Sequence, residues 1–79
     1  MKKQTRTLSE IANEIRKDWS KVYFGAVPYL DAMSQLNSIN DNFYLDSGRS
    51  IVLYFLANAQ TWRGEVARRV KKELNGMLK

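Results

Sequence analysis

The sequence predicts a small all-α protein, a single-domain bundle of about four helices. Two observations carry that expectation. Apolar residues recur at helical steps of three and four through much of the chain. Helix-start chemistry stands in front of each such stretch, and the connections between stretches are short.

The first helix is expected over about residues 8–22. Thr7-Leu8-Ser9-Glu10 has the form of a capping box, in which the threonine hydroxyl and the glutamate carboxylate each satisfy a free backbone donor. Leu8, Ile11, Ala12, Ile15, Trp19 and Val22 then fall on one stripe. Glu10, Glu14, Lys17 and Lys21 lie opposite it, as a mixed-charge solvated face. Gly25 breaks the pattern. Pro28 suits the first turn of a second helix, about 28–37, because its missing N–H would have no partner there. Tyr29, Leu30, Met33 and Leu36 form its apolar stripe.

From Asn37 to Asp46 the chain is dense in Asn, Asp and Ser, which bond to nearby backbone and favour turns. Phe43, Tyr44 and Leu45 interrupt this polarity, and some of them are expected to pin the loop to the core. Ile51–Leu56 is apolar at every position, a composition that also suits a buried strand. The helical reading, about 47–58, rests on the lead-in Asp46-Ser47-Gly48-Arg49-Ser50, with Asp46 or Ser47 as cap. A lone strand would also leave its backbone unpaired. A helix apolar on all sides should be central and buried, so this third helix is expected to pack against all the others.

The fourth helix is expected over about 62–76, capped by Thr61. Trp62, Val66, Val70, Leu74 and Met77 make its stripe, widened by Ala67 and Leu78. Arg68, Lys71, Lys72 and Asn75 lie on the opposite face, Glu65 stands four residues before Arg69 in the favourable order, and Gly76 is expected to fray the end. Arg63 falls near the buried stripe, where it would have to snorkel or stack on an aromatic.

The chain has 79 residues, which fits one domain, residues 7–79, preceded by a flexible basic arm, 1–6. It contains no cysteine and no histidine, which excludes disulfides and thiolate zinc sites and removes the commonest metal ligand and general base. No metal or other cofactor is expected. Serines therefore lack a histidine partner, and Ser20 beside Lys21 cannot form a pair, because adjacent helix residues do not face each other. No phosphate-binding glycine pattern is present. The expectation is a protein that is not an enzyme. No apolar run follows Lys2 and Lys3 as in a secretory signal, and the run Ile51–Ala57 is too short to span a bilayer, so a cytoplasmic protein without a membrane partner is expected.

Asp46 and Arg49 admit two readings. One is an anion-binding helix start; the other, favoured because an aspartate there already satisfies the free donors, is a cap with a local ion pair. Trp19 and Trp62, both on apolar stripes, are expected in the core.

Two functional hypotheses follow. The net charge is +5 and lies toward the ends, with six basic and two acidic residues in 61–79. Arg68, Lys71 and Lys72, with Arg69 at the edge and Lys2, Lys3 and Arg6 in the arm, could bind nucleic-acid phosphates without reading sequence. A net charge of this size is also ordinary for solubility alone. The alternative is a protein–protein or homo-oligomerising module. The second helix carries one charge, Asp31, and Tyr23, Phe24, Tyr29 and Tyr44, together with Phe43, are residue types that interfaces favour, unless they simply fill a small core.

Two segments, Tyr23-Phe24-Gly25-Ala26-Val27-Pro28-Tyr29-Leu30 and the run from Asp46 to Leu78, resemble small uncharacterised proteins carried by prophages and conjugative elements of Gram-positive bacteria. The resemblance implies a bacterial cytoplasm and a mobile-element context. It implies no activity and no functional residues, and it favours DNA-associated or regulatory roles only by association.

Overall fold

The computed structural model describes residues 6–79, so Lys2 and Lys3 lie outside the described residues. The elements follow in the order α1 (Leu8–Asp18), a 3-10 turn (Phe24–Ala26), α2 (Val27–Met33), β1 (Asn42–Phe43), β2 (Asp46–Ser47), α3 (Gly48–Ala57) and α4 (Glu65–Leu78). The four helices form a ring: α1 packs on α2 and α4, and α3 packs on the same two. The α1–α4 edge therefore lies opposite the α2–α3 edge. Buried apolar side chains from all four helices fill the space between them, and no polar or charged residue is buried among the described ones.

The Thr7 capping box is present in full, with Glu10 N–H donating to Thr7 Oγ1 at 3.1 Å and Thr7 N–H to Glu10 Oε1 at 2.8 Å. Leu8 and Ser9 N–H donate to the Asn37 and Leu36 carbonyls, so the end of the second segment caps the first. α1 stops at Asp18, four residues short of expectation. Trp19 leaves helical geometry (φ −92°, ψ 89°), and its ring enters the core and stacks on Trp62. The stripe was read correctly as buried at Trp19, but the backbone turns there to deliver it.

α2 begins at Pro28's turn as expected but ends at Met33 rather than 37. Gln35 and Leu36 N–H reach back only three residues, to Ala32 and Met33, which tightens the chain into the loop. There Asp41 accepts from the Asn37 and Ser38 amides at 2.9 and 3.1 Å, the local bonding that the composition implied. The loop also holds a small antiparallel hairpin, absent from the helical expectation, that pairs Asn42 with Ser47 and Phe43 with Asp46. Two-residue hairpin loops need positive φ, and Tyr44 supplies it at 57°. Phe43 packs against the core, whereas Tyr44 and Leu45 are fully exposed.

Ile51–Leu56 is helical, as the caps implied. Ser47, not Asp46, caps α3, its hydroxyl accepting from Ser50 N–H at 3.1 Å. Gly48 and Arg49 N–H donate to the Asp41 and Ile39 carbonyls at 2.7 and 3.0 Å. The loop comes so close that a Cβ on residue 48 would lie 2.8 Å from the Ser38 carbonyl oxygen. Ile51, Val52 and Phe55 are buried, but Leu53 and Tyr54 are half exposed, so α3 is covered on one side and not around its circumference. The reason is the ring itself: a helix with two neighbours and a core behind it keeps an outer face, and a fully apolar sequence then shows some of its apolar residues to solvent.

α4 starts at Glu65, so Thr61, Trp62 and Arg63 precede it and Thr61 is not the cap. Gly64 holds that position at φ 113°, a conformation that side chains disfavour. This turn carries Trp62 into the core and leaves Arg63 exposed, contrary to its place on the helical wheel. Trp62 is 2% exposed; it stacks on Trp19 at 5.8 Å and meets the edge of Phe55 at 6.4 Å. Its Nε1–H donates to Asp18 Oδ2 at 2.9 Å, which ties the end of α1 to the start of α4. The helix continues through Gly76 to Leu78 without fraying there.

Candidate functional site

The α1–α4 edge holds most of the cations that sequence reasoning marked for phosphate binding, and most of them are engaged. Arg6 donates to Glu14 at 2.7 Å and to both oxygens of Glu73 at 2.6 and 3.1 Å. Arg6 is thus anchored, although the basic arm was expected to reach it. Its guanidinium is held firmly charged, chiefly by the Glu73 hydrogen bonds. Arg69 bonds the other oxygen of Glu14 rather than its expected helical partner Glu65. Glu14 accordingly titrates below the usual carboxylate range, through the hydrogen bond from Arg69 first and that from Arg6 second. It belongs to an ion-pair network and not to a solvated face.

Lys71 also departs from expectation. Its Nζ donates to the Trp62 carbonyl at 2.7 Å and sits 5.9 Å above the Trp62 ring. Desolvation, helped by nearby Arg63, pulls its pKa down. Arg68 and Lys72 remain exposed and flank a shallow groove with Glu65 and Val66. Of the five described candidate phosphate ligands, then, Arg6, Arg69 and Lys71 serve the fold, and two stand open.

Arg49 does not pair with Asp46. It donates to the Leu78 carbonyl at 2.5 Å, at the end of α4 where a cation is favourable. The anion-site reading of this helix start fails for a second reason. The N–H groups of Gly48, Arg49 and Ser50 are all taken by Asp41, Ile39 and Ser47.

The opposite edge is unlike this one. Val22–Leu30 and Ser50–Trp62 contain no charged residue, and the structure sets them side by side along the 3-10 turn, α2 and α3. Phe24 is 79% exposed, Leu53 and Tyr54 about half, and Tyr23 and Val27 around 40%. Several of these residues are linked to one another or to shared neighbours. The Tyr23 ring lies 4.8 Å from that of Phe24 and lines a small groove with Ala57, Asn58, Gln60 and Thr61. Ala57 follows Leu53 by one helical turn. Tyr54 meets half-buried Tyr29 of α2 at 5.6 Å, and Asn58 Nδ2–H donates to the Tyr54 carbonyl. Of the residues marked for interaction, Tyr23, Phe24 and Tyr29 are brought together here, while Tyr44 stands apart on the hairpin beside Phe43. Leu53 and Tyr54 were missed because the apolar run was read as wholly buried. The signal that could have found them is the pair of charge-free stretches.

A concavity of about 690 Å³ opens between Arg6, the 37–40 loop and the second half of α4. Arg6 and Glu73 pair in its wall, and Lys72, the loop residues and apolar side chains complete its lining. Among the described residues no acidic cluster is arranged to hold a metal ion, and no helix is long and apolar enough to cross a membrane. Comparison with family models, with curated proteins and with solved structures finds no significant match to this chain.

Proposed function

We propose that this chain is a non-enzymatic protein-interaction module whose docking surface is the charge-poor aromatic face formed by the 3-10 turn, α2 and α3. One observation carries the reading: Tyr23, Phe24, Val27, Leu53 and Tyr54 are exposed together on an edge whose two sequence stretches hold no charge. Depletion of charge with enrichment of aromatic residues is what distinguishes interface cores from ordinary surface. A 79-residue domain gains stability from every aromatic it can bury, so leaving these outside needs a reason beyond folding.

Nucleic acid is the weaker reading, because three of the five described candidate cations are committed to Glu14, Glu73 and Trp62. Among the described candidates only Arg68 and Lys72 stand open, and two cations supply only weak, salt-sensitive attraction. Within the same proposal the module works in a bacterial cytoplasm, which the resemblance to prophage and conjugative-element proteins supports.

The test is a photoreactive amino acid placed at Phe24 in cells that express the chain, with a control at Arg68. Crosslinking to protein at position 24 that a Leu53→Asp substitution abolishes is the expected result. No protein crosslink at 24, or one equally strong at 68, overturns the reading. Titration of duplex and single-stranded DNA at several salt concentrations should show binding no tighter than micromolar, insensitive to Phe24→Asp.

A further inference from the structure

The aromatic face also carries information about what covers it. We infer that its occupant is a second copy of the same chain, docked face to face about a two-fold axis; this rests on the interaction reading above. Charge is the first argument. The chain carries a net charge of +5, so two copies repel through most of their surfaces. Val22–Leu30 and Ser50–Trp62 hold none of the thirteen cations or eight anions. Asp31 and Arg49, each one helical turn from Val27 and Leu53 respectively, border them already engaged, with Arg16 and with the Leu78 carbonyl. Across these two stretches two copies meet without placing like charges opposite each other. A differing partner matched to this chain by charge would instead be acidic, and this face offers an acidic partner nothing to pair with.

Area is the second argument. With about 150–250 Å² for each large aromatic side chain, the exposed parts of Tyr23, Phe24, Val27, Leu53 and Tyr54 come to roughly 500 Å². A standard interface takes about 800 Å² from each partner. Ala57, Gln60 and Thr61, neutral and exposed beside Tyr23, add to the exposed area of the five.

Chemistry is the third. In a two-fold contact the same patch must complement itself. This one places exposed aromatic rings beside a groove that holds the Asn58 and Gln60 amides and the Thr61 hydroxyl. Amides and hydroxyls both donate and accept, so each group can pair with its own counterpart, which a row of like charges cannot do.

Sedimentation equilibrium of the whole chain from about 1 μM to about 1 mM decides the matter, since a weak to moderate dimer titrates over that range. The expected result is a monomer–dimer equilibrium, weakened about 30-fold or more by Phe24→Asp or Leu53→Asp. Both sites are exposed, so circular dichroism of the variants should stay that of the wild type. Added salt should strengthen the dimer, because it screens repulsion between the copies and breaks no ion pair across the face. Tyr44→Asp, at an equally exposed aromatic on the hairpin, should change nothing, and aspartate tolerates the positive φ there. A strict monomer at 1 mM, a dimer weakened by salt, or a dimer lost equally on Tyr44→Asp overturns the inference. The photocrosslinker at Phe24 separates this failure from that of the interaction reading. Crosslinks to the chain itself support both, crosslinks only to another protein overturn self-association alone, and no protein crosslink removes both.

Discussion

The two edges of the molecule use their side chains in opposite ways. On the α1–α4 edge, residues that look made for solvent are drawn into the fold. Arg6, Glu14, Arg69 and Glu73 form an ion-pair network, and Lys71 lies over Trp62. On the α2–α3 edge, residues that look made for the core, Phe24, Leu53 and Tyr54, are left outside. The difference shows that polarity in the sequence does not sort residues into structural and functional ones here. Charged side chains with partners serve the fold, and apolar side chains without partners are the ones available to something else.

That comparison can be broken most decisively at its hinge, Trp62. Trp62→Ala removes a stacked and nearly fully buried ring and orphans the Asp18 carboxylate. A loss of about 3–5 kcal/mol is expected, enough to unfold a marginal domain in urea titration. Gly48→Ala comes next. Its Cβ would meet the backbone of Ser38 and Ile39, so the loop must shift, at about 1–3 kcal/mol by the same measurement.

Glu14→Gln tests whether the charged edge is structural. It releases Arg6 and Arg69 from their shared carboxylate, at about 1 kcal/mol for a partly exposed network. The pH dependence has a definite sign. Glu14 titrates lower in the folded chain than its usual 4.5, so its contribution is complete above that pH and is lost as pH falls through the lowered value. The stability gap between wild type and Glu14→Gln should therefore be constant from neutral pH down to 4.5 and shrink below it.

The smallest expected effect is the most informative. Phe24→Asp should alter stability by no more than about 0.5 kcal/mol, because the ring is already in water. A large loss there would mean that the aromatic face serves the fold, and the contrast between the two edges would disappear.

Much of this architecture was legible beforehand. The Thr7 capping box and the Pro28 helix start are local signals found as read, and the 3.6-residue stripe of α1 holds from Leu8 to Ile15. The α4 stripe holds from Val66 onward, and the helical state of Ile51–Leu56 followed from its lead-in. The candidate site was legible only in part. Tyr23, Phe24 and Tyr29 were marked, but Leu53 and Tyr54 were assigned to the core, because hydrophobicity reports a tendency to be buried and not whether a neighbour is there to do it. The cations of α4 were marked as a single face, because periodicity shows which side of a helix a residue occupies and not what stands across from it.

The sequence by itself thus determined the four helices, the residues that line their inner faces, and the exclusion of chemistry that needs cysteine or histidine. These depend on spacing and composition within short windows. Only the tertiary structure decided where the helices stop, which charges are spent and which apolar residues are left over. Trp19 ends α1 in order to reach Trp62, Gly64 delays α4 in order to bury it, and Arg6 crosses to Glu73 from 67 residues away. Such choices turn on partners distant in the chain, whose proximity exists only once the ring of helices has closed.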